Sequence, residues 1–178
     1  MRKGKGEPYS AALAMLARRP YSVAELRRAL EKKFPDSEAA REAVARLRAQ
    51  GYLDDRKVAE QIASSLARNR RFGRHRIRRE LKARLLDYRF IEPALERAFE
   101  ETDERSLLND VLTRKLRTLK LPLTRQKLAS LCQTLLRRGF SSGDIIKAVQ
   151  ARPGFKPEAD GVDLATLEEA DESQSSKL

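Results

Sequence analysis

The amino-acid sequence predicts an all-α protein built from three tandem three-helix repeats in an elongated, curved array. Ala and Leu supply 48 of the 178 residues, whereas the β-branched Val, Ile and Thr supply 17. Ala and Leu lose little side-chain freedom in a helix, and stiff β-branched residues favour strands, so this composition favours helices. Similar apolar patterns also recur with a period of 51 to 54 residues, which indicates tandem units.

The first repeat is predicted over residues 9–53, after a basic arm at 1–8. The segment Ser22-Val-Ala-Glu25 matches a capping box and predicts the start of the second helix. Gly51 is placed to end the third helix in a left-handed conformation. The apolar positions that predict the three helix faces are Tyr9, Ala12, Leu13, Leu16 and Ala17, then Leu26, Leu30 and Phe34, then Ala40, Ala43, Val44 and Leu47.

The second repeat is predicted over residues 54–101. Asp54 or Asp55 is expected to cap its first helix, Gly73 to separate the first helix from the second, and Asp87 to start the third. The inward-facing positions are predicted to be Val58, Ala59, Ile62, Ala63 and Leu66, then Ile77, Leu81 and Leu85, then Ile91, Ala94, Leu95, Ala98 and Phe99.

The third repeat is predicted over residues 102–153, and an acidic disordered tail over 154–178. Thr102-Asp-Glu is expected to start the seventh helix, Thr124 the eighth and Ser141 the ninth. The spacing of Leu131 and Leu135 repeats that of two residues in the middle helix of each earlier repeat. The predicted inward positions are Leu107, Leu108, Val111, Leu112 and Leu119, then Leu128, Leu131, Cys132, Leu135 and Leu136, then Ile145, Ile146 and Val149.

The composition argues against several functional classes. A single cysteine, Cys132, allows no intrachain disulfide or cysteine-cluster zinc site, and the single histidine, His75, leaves no usual His-based catalytic or metal constellation. Without a Gly-rich phosphate loop followed by Lys-Ser/Thr, NTP hydrolysis is not expected. The longest run free of charged residues, Pro8–Ala17, is too short to cross a membrane. We therefore expect a cytoplasmic protein with no catalytic residues, metal or cofactor.

The charge distribution points to a polyanionic or acidic partner. The whole chain has a formal net charge of +12, but residues 156–178 carry −5 and residues 1–155 therefore +17. Such an excess favours a negatively charged partner, although a basic face exposed only to solvent remains the alternative. The candidate contact residues lie in two basic runs: Arg70, Arg71, Arg74, Arg76, Arg79, Lys82 and Arg84 in the first, and Arg114, Lys115, Arg117, Lys120, Arg125 and Lys127 in the second.

Several segments, taken in order, resemble the bacterial RecX regulatory family. They are Leu13-Ala-Met-Leu16-Ala-Arg-Arg, Ser22-Val-Ala-Glu25-Leu26-Arg-Arg-Ala-Leu30, Gly51-Tyr-Leu-Asp54-Asp55, Val58-Ala59, Ile77-Arg-Arg-Glu-Leu81 and Arg137-Arg-Gly139-Phe140-Ser141. The resemblance runs from about Tyr9 to Val149. RecX-like sequences usually place Gly near the end of the middle helix of each repeat. Here Gly139 does so, whereas Lys33-Phe34-Pro35 and Arg84-Leu85-Leu86 do not.

The resemblance implies a non-enzymatic regulator in DNA repair and recombination, connected with the SOS response. Such a protein binds the RecA–single-stranded DNA filament and inhibits the ATPase, recombinase and strand-exchange activities of RecA. The expected partners are RecA and single-stranded DNA, with double-stranded DNA as a further candidate and no membrane, and the expected state is a monomer. Two alternatives stay open from the residues alone. One is a helix-turn-helix-like DNA-binding protein or transcription factor. The other is a helical scaffold for an acidic protein.

Overall fold

The computed structural model describes residues 7–35, 38–119 and 124–152, which are helical and contain no strand. The helices found in these residues are α1 (Pro8–Leu16), α2 (Val23–Lys33), α3 (Glu38–Ala49), α4 (Asp55–Ser65), α5 (Arg74–Ala83), α6 (Tyr88–Glu101), α7 (Glu104–Arg117), α8 (Arg125–Arg137) and α9 (Ser142–Gln150). A π-helical turn, Leu66–Arg70, extends α4. The all-α helical repeat fold predicted from composition and periodicity is confirmed. Among the described helices, none is long and apolar enough to cross a membrane.

Short polar residues start most of the helices, because a side-chain oxygen accepts a backbone N–H that the first turn leaves unpaired. The capping role predicted for Ser22 is confirmed, since its hydroxyl accepts the N–H of Glu25 at 3.0 Å. Asp54 and Asp55 were both predicted as possible caps of α4, and Asp54 is the residue that caps it. The other side-chain caps are Asp87, Asp103, Thr124 and Ser141.

Three helix ends share one backbone geometry, in which a left-handed residue follows the last turn. Gly51 has φ +77° and Gly139 has φ +90°, as the predicted helix ends require, but Leu85 also has φ +58°. At each end the N–H of the next residue reaches back five residues: Tyr52 to Leu47 O, Leu86 to Leu81 O and Phe140 to Leu135 O. This is the Schellman motif.

The prediction that Leu85 lies on the inward face of α5 is wrong. Helix α5 ends at Ala83, and Leu85 lies beyond the helix with 39% of its surface exposed. Leu86, the next residue, is buried instead. The apolar spacing suggested one more helical turn, but the Schellman hydrogen bonds end the helix before Leu85 can complete it.

The buried residues form two separate apolar cores. Helices α1 to α3, the first triplet, enclose one core around Leu26, Leu30 and Leu47. Helices α4 to α6, the second triplet, and α7 to α9, the third triplet, share a single larger core that runs from Ala59 to Val149. The second and third triplets therefore form one packed body, and the first triplet packs beside it around a core of its own.

The triplets join through a repeated hydrogen bond, from an N-cap residue to a C-cap carbonyl oxygen, that sets the middle helices end to end. At the first joint, the hydroxyl of Ser22, the N-cap of α2, donates to the carbonyl oxygen of Arg84, the C-cap of α5, at 2.6 Å. At the second joint, the N–H of Gly73, the N-cap of α5, donates to the carbonyl oxygen of Arg138, the C-cap of α8, at 2.8 Å.

The side chains of the two C-cap arginines reinforce the same joints. Arg84 donates to the carbonyl oxygen of Pro20 at 3.4 Å, and Arg138 donates to the carbonyl oxygen of Arg70 at 3.1 Å. Pro20 and Arg70 each lie shortly before the N-cap of the neighbouring middle helix. The repeat in sequence is therefore also a repeat in how consecutive triplets dock.

The two joints differ in how closely the backbones approach. At the second joint, a Cβ built on Gly73 would lie 2.4 Å from the carbonyl oxygen of Gly139, and one built on Gly139 would lie 2.2 Å from the backbone nitrogen of Arg76. At the first joint, Leu85 occupies the position that corresponds to Gly139. A full side chain there is associated with an open groove between the first two triplets, with a cavity volume of about 860 Å³.

Candidate nucleic-acid interface

The first basic run begins at an irregular turn between α4 and α5. The π-helical turn Leu66–Arg70 ends at Arg71, which has φ +54°. Phe72 then packs against the shared core. Of the predicted contact residues here, Arg70 is exposed, and the side chain of Arg71 is half-buried. Its Nη1 atom is buried without a hydrogen-bond partner among the described residues. The turn thus places two consecutive arginines at the second joint.

Three of the predicted contact residues of α5 and its end are engaged within the protein. The backbone N–H of Arg74 donates to the carboxylate of Glu104 at 2.7 Å, and its guanidinium lies 5.1 Å from the Phe99 ring centroid. Arg76 pairs with Glu80 at 2.6 Å. Arg84 belongs to the first joint. Because these groups already have partners, they contribute less free cationic surface than a count of basic residues suggests.

The best-ordered ion pair of this region involves a residue that was not predicted as a site. Arg78 donates two hydrogen bonds to Glu92, at 2.7 and 2.8 Å, and the two side chains are 16% and 24% exposed. This fork-to-fork geometry raises the pKa of Arg78 and lowers the pKa of Glu92, since each charge stabilises the other. Arg78 therefore serves to fasten α5 to α6.

The remaining two predicted residues of the first run, Arg79 and Lys82, are half-exposed on α5. Lys82 lines the groove between the first two triplets. The first run is therefore divided between the second joint, α5 and the groove and does not form one continuous surface.

The second basic run supplies a compact exposed cluster at the end of α7. Arg114, Lys115 and Arg117 all lie in the last turn and are exposed. Within the described part of the chain none of them pairs with a carboxylate, and the negative end of the helix dipole favours cations at this position. We call these three residues the α7 cluster. In the α7 cluster, three exposed cations lie on one helical turn, whereas the first run has no such group of exposed cations.

The other predicted residues of the second run are described only in part. Lys127 is exposed in the first turn of α8, where its N–H donates to the hydroxyl of Thr124 at 3.4 Å. Lys120 lies outside the described residues, as does the side chain of Arg125, although α8 begins at that residue.

The structure contains a further cationic surface that the sequence analysis did not predict as a surface, although Lys82, one of its residues, was a predicted contact residue. The groove between the first two triplets is lined by basic side chains from five helices: Arg27, Arg48, Arg56, Lys57, Lys82 and Arg89. These residues are scattered over 62 positions, so no local run of charge marks them. Only the docking of the two triplets brings them together.

The described residues offer little support for metal or thiol chemistry. No group of three or more His, Cys, Asp and Glu side chains in them could hold a metal ion. Cys132 is buried, and burial raises the pKa of its thiol, which keeps the reactive thiolate scarce. The backbone N–H of His75 donates to the carbonyl oxygen of Gly139 at 3.1 Å, which places this residue at the second joint.

These features define a class: an all-α repeat protein whose triplets dock through a repeated joint and present basic side chains at a helix end and in a groove. Two family models match the chain. One describes the first three-helix domain of RecX, over residues 9–47, and the other the second three-helix domain of RecX, over residues 54–95.

Relatives and solved structures agree with these models. The Regulatory protein RecX of Chlorobaculum tepidum is 36% identical over 78% of this chain and 84% of its own. The Regulatory protein RecX of Stenotrophomonas maltophilia strain R551-3 is 33% identical over 82% of this chain and 87% of its own. The crystal structure of RecX from Lactobacillus salivarius shares the fold, with a TM-score of 0.69 and 20% identity, covering 82% of this chain and 94% of that one. The chain belongs to the RecX family of regulatory proteins.

Proposed function

We propose that this protein binds the RecA–single-stranded DNA filament and inhibits the ATPase, recombinase and strand-exchange activities of RecA without catalysing a reaction itself. Membership of a family of regulatory proteins is the observation that carries the proposal. The net charge of +17 over residues 1–155 supports a polyanionic target. The action is by occupancy: a bound array of triplets bridges neighbouring parts of the filament and opposes the motion that accompanies ATP turnover.

Within this proposal, the α7 cluster contacts phosphates. Arg114, Lys115 and Arg117 are exposed and close together on one helical turn, so binding would release the counterions condensed along the nucleic acid. Arg70 at the second joint is the best remaining candidate of the first run, because its side chain is exposed. The structural contacts of α5 and its end are made by Arg74, Arg76 and Arg84, whose role in this proposal is to hold the helices in place.

The proposal is tested by measuring the ATPase of RecA on single-stranded DNA with increasing amounts of this protein. We expect ATP hydrolysis to fall. Changing Arg114, Lys115 and Arg117 to Ala is expected to shift the inhibition curve to higher protein concentration, and to reduce the salt dependence of DNA binding. A variant with Arg28, Lys32 and Arg41 changed to Ala removes the same charge from exposed positions of the first triplet and serves as the matched control.

The outcomes separate the proposal from its alternatives. Unchanged RecA ATPase at several-fold excess of the protein over filament sites contradicts it. Strong preference for one duplex sequence in a selection assay favours the helix-turn-helix alternative instead. Equal effects of the two triple variants leave inhibition in place but reject the α7 cluster as its contact surface.

A further inference from the structure

The groove between the first and second triplets has the build of a binding site. It is an open cleft and not an enclosed pocket, with a cavity volume of about 860 Å³. Residues of α2 and α3 form one wall, and residues of α4, α5 and α6 form the other. The described residues around it include six basic and three acidic side chains. The groove is therefore a cationic cleft beside the first joint, with Leu85 in its lining.

The three carboxylates of the groove are held by backbone N–H groups. Asp54 accepts from Lys57 at 3.1 Å, Asp55 accepts from Val23 at 2.8 Å, and Asp87 accepts from Arg89 at 3.0 Å. Arg56 is held by Glu60, to which it donates at 3.1 Å. The ion pairs of three other groove cations are exposed and loose: Arg27 with Glu31 and Arg89 with Asp87 at 3.8 Å, and Lys57 with Asp54 at 3.5 Å. Exposed pairs of this kind are weak and give way to a better placed anion.

The groove also has an apolar floor. Leu53 and Leu86 are buried beneath it, Phe90 is partly buried, and Leu85 is 39% exposed at its edge. A nucleic-acid strand calls for cations along its whole path and flat rings on which bases stack. The floor is mainly aliphatic, with Phe90 as the one aromatic side chain of the described lining, and it offers contacts to leucine side chains. Because the cations of the walls outnumber the carboxylates, the groove suits an acidic peptide that carries leucines.

The chain itself contains such a segment. Residues 158–172 hold seven acidic residues and no basic residue, with Val162, Leu164 and Leu167 between them. We propose that this acidic segment, which follows α9 in the sequence, binds in the groove between the first and second triplets. Its carboxylates meet the arginines and lysines of the walls, and its leucines cover the floor beside Leu85.

The length of chain after α9 is sufficient. The path from the end of α9 to the groove follows two helices. Helix α9 has nine residues and is about 14 Å long, and its start lies near the second joint. Helix α5 leads from the second joint to the groove over ten residues, about 15 Å. The three residue steps from Gly139 to the start of α9 add about 10 Å, so the path is at most about 40 Å. Twelve residues separate Arg152 from Leu164, and an extended chain of that length spans about 40 Å. The tether also supplies an effective concentration near millimolar, which favours this segment over the same peptide in solution.

The contact is tested on the full chain by zero-length carbodiimide cross-linking, which joins a lysine amine directly to a carboxylate. Mass spectrometry then locates the cross-links. We expect residues 158–172 to link to Lys57 and Lys82 of the groove several-fold more often than to the exposed Lys33 and Lys147 outside it. The yield should not change on dilution, because the contact is intramolecular. It should fall in about 1 M salt, where screening reaches about 3 Å.

Matched variants make the result specific. Changing Arg27 and Arg48 to Glu reverses two groove charges and should reduce the groove cross-links several-fold. Changing Arg28 and Arg41 to Glu reverses two exposed charges of the same helices outside the groove and should leave them intact. Replacing Leu164 and Leu167 with Ser, which keeps the charge, should also reduce them. Circular dichroism of each variant checks that the helices are retained.

Three outcomes would overturn the inference. Cross-links that lead chiefly to Lys115 would place the segment on the α7 cluster, and links that disappear on dilution would mean that it binds a second copy. Links spread evenly over all exposed lysines would mean that it has no preferred site. None of these results involves RecA or DNA, so failure here and failure of the proposed function are distinguishable.

Discussion

At the scale of single residues, the structure separates cations that hold the protein together from cations that are free to bind. Arg78 and Arg84 come from the same basic run as Arg70, but the first is paired with Glu92 and the second belongs to the first joint. The sequence contains the excess of positive charge but not its division into these roles. That division depends on which carboxylates and carbonyl groups the fold brings within reach.

Leu85 and Arg71 are the non-glycine residues of the described chain with a left-handed backbone, at φ +58° and +54°. A left-handed backbone places the Cβ of an L-residue close to a carbonyl oxygen, at a cost of roughly 1 to 2 kcal/mol, which glycine avoids. We therefore predict that Leu85→Gly is more stable than Leu85→Ala by about 1 kcal/mol. Both changes remove the same leucine side chain, so their difference isolates the backbone.

Urea unfolding followed by circular dichroism measures this difference. A reference pair at Ala45, an exposed position in the middle of α3, gives the opposite sign, because glycine in a helix interior is less stable than alanine by about 1 kcal/mol. Equal stability of the two Leu85 variants, or a more stable Ala variant, would show that the left-handed geometry is not retained in solution.

At the scale of elements, helix starts follow from local chemistry, whereas joints follow from close backbone contact. Ser22, Asp87, Thr124 and Ser141 cap helices as their residue types predict, because the hydrogen bond spans only two or three residues. Gly139, in contrast, is needed for two reasons. Its φ is +90°, and the first turn of α5 lies against it.

We predict that Gly139→Ala destabilises the protein by roughly 2 kcal/mol or more, since the new methyl group must displace the backbone at Arg76 and the residue must keep a left-handed conformation. Gly143→Ala is the matched control. No atom lies within 4 Å of its built Cβ, and it sits within α9, so this change should be neutral or stabilising by up to about 1 kcal/mol. Thermal unfolding of the two variants measures the contrast, and a similar fall for both would contradict the role assigned to the second joint.

At the scale of the whole molecule, the separate core of the first triplet makes it the weaker part of the array. Among the described residues, 8 buried apolar residues form its core, whereas 23 form the core shared by the other two triplets. Because stability in repeat arrays combines the cores of the units with the contacts at their joints, the first triplet has less to hold it.

We predict that amide hydrogens of α2 and α3 exchange with solvent through openings of lower free energy than those of α5, α6 and α8. Hydrogen exchange read by mass spectrometry measures this order. Ser22→Ala removes both the N-cap of α2 and the hydrogen bond to Arg84, so it should speed exchange in the first triplet and leave the third unchanged. Uniform acceleration along the chain would contradict the division into two bodies.

The candidate site was predictable only where its residues are neighbours in sequence. Arg114, Lys115 and Arg117 were identified because four consecutive positions place them on one exposed turn. The groove cations Arg48 and Arg89 belong to different triplets and were not identified. The repeat boundaries at residues 53 and 101 stay predictions, as do the N-terminal arm and the acidic tail, of which residues 1–6 and 153–178 lie outside the described residues.

The sequence by itself determined the helices, most of their starts, the repeat and the excess of positive charge, because each depends on residue type and spacing over a few turns. The tertiary structure alone decided that the second and third triplets share a core and that a cationic groove opens at the first joint. The shared core and the groove depend on close approach between segments some 60 residues apart, which no local pattern encodes.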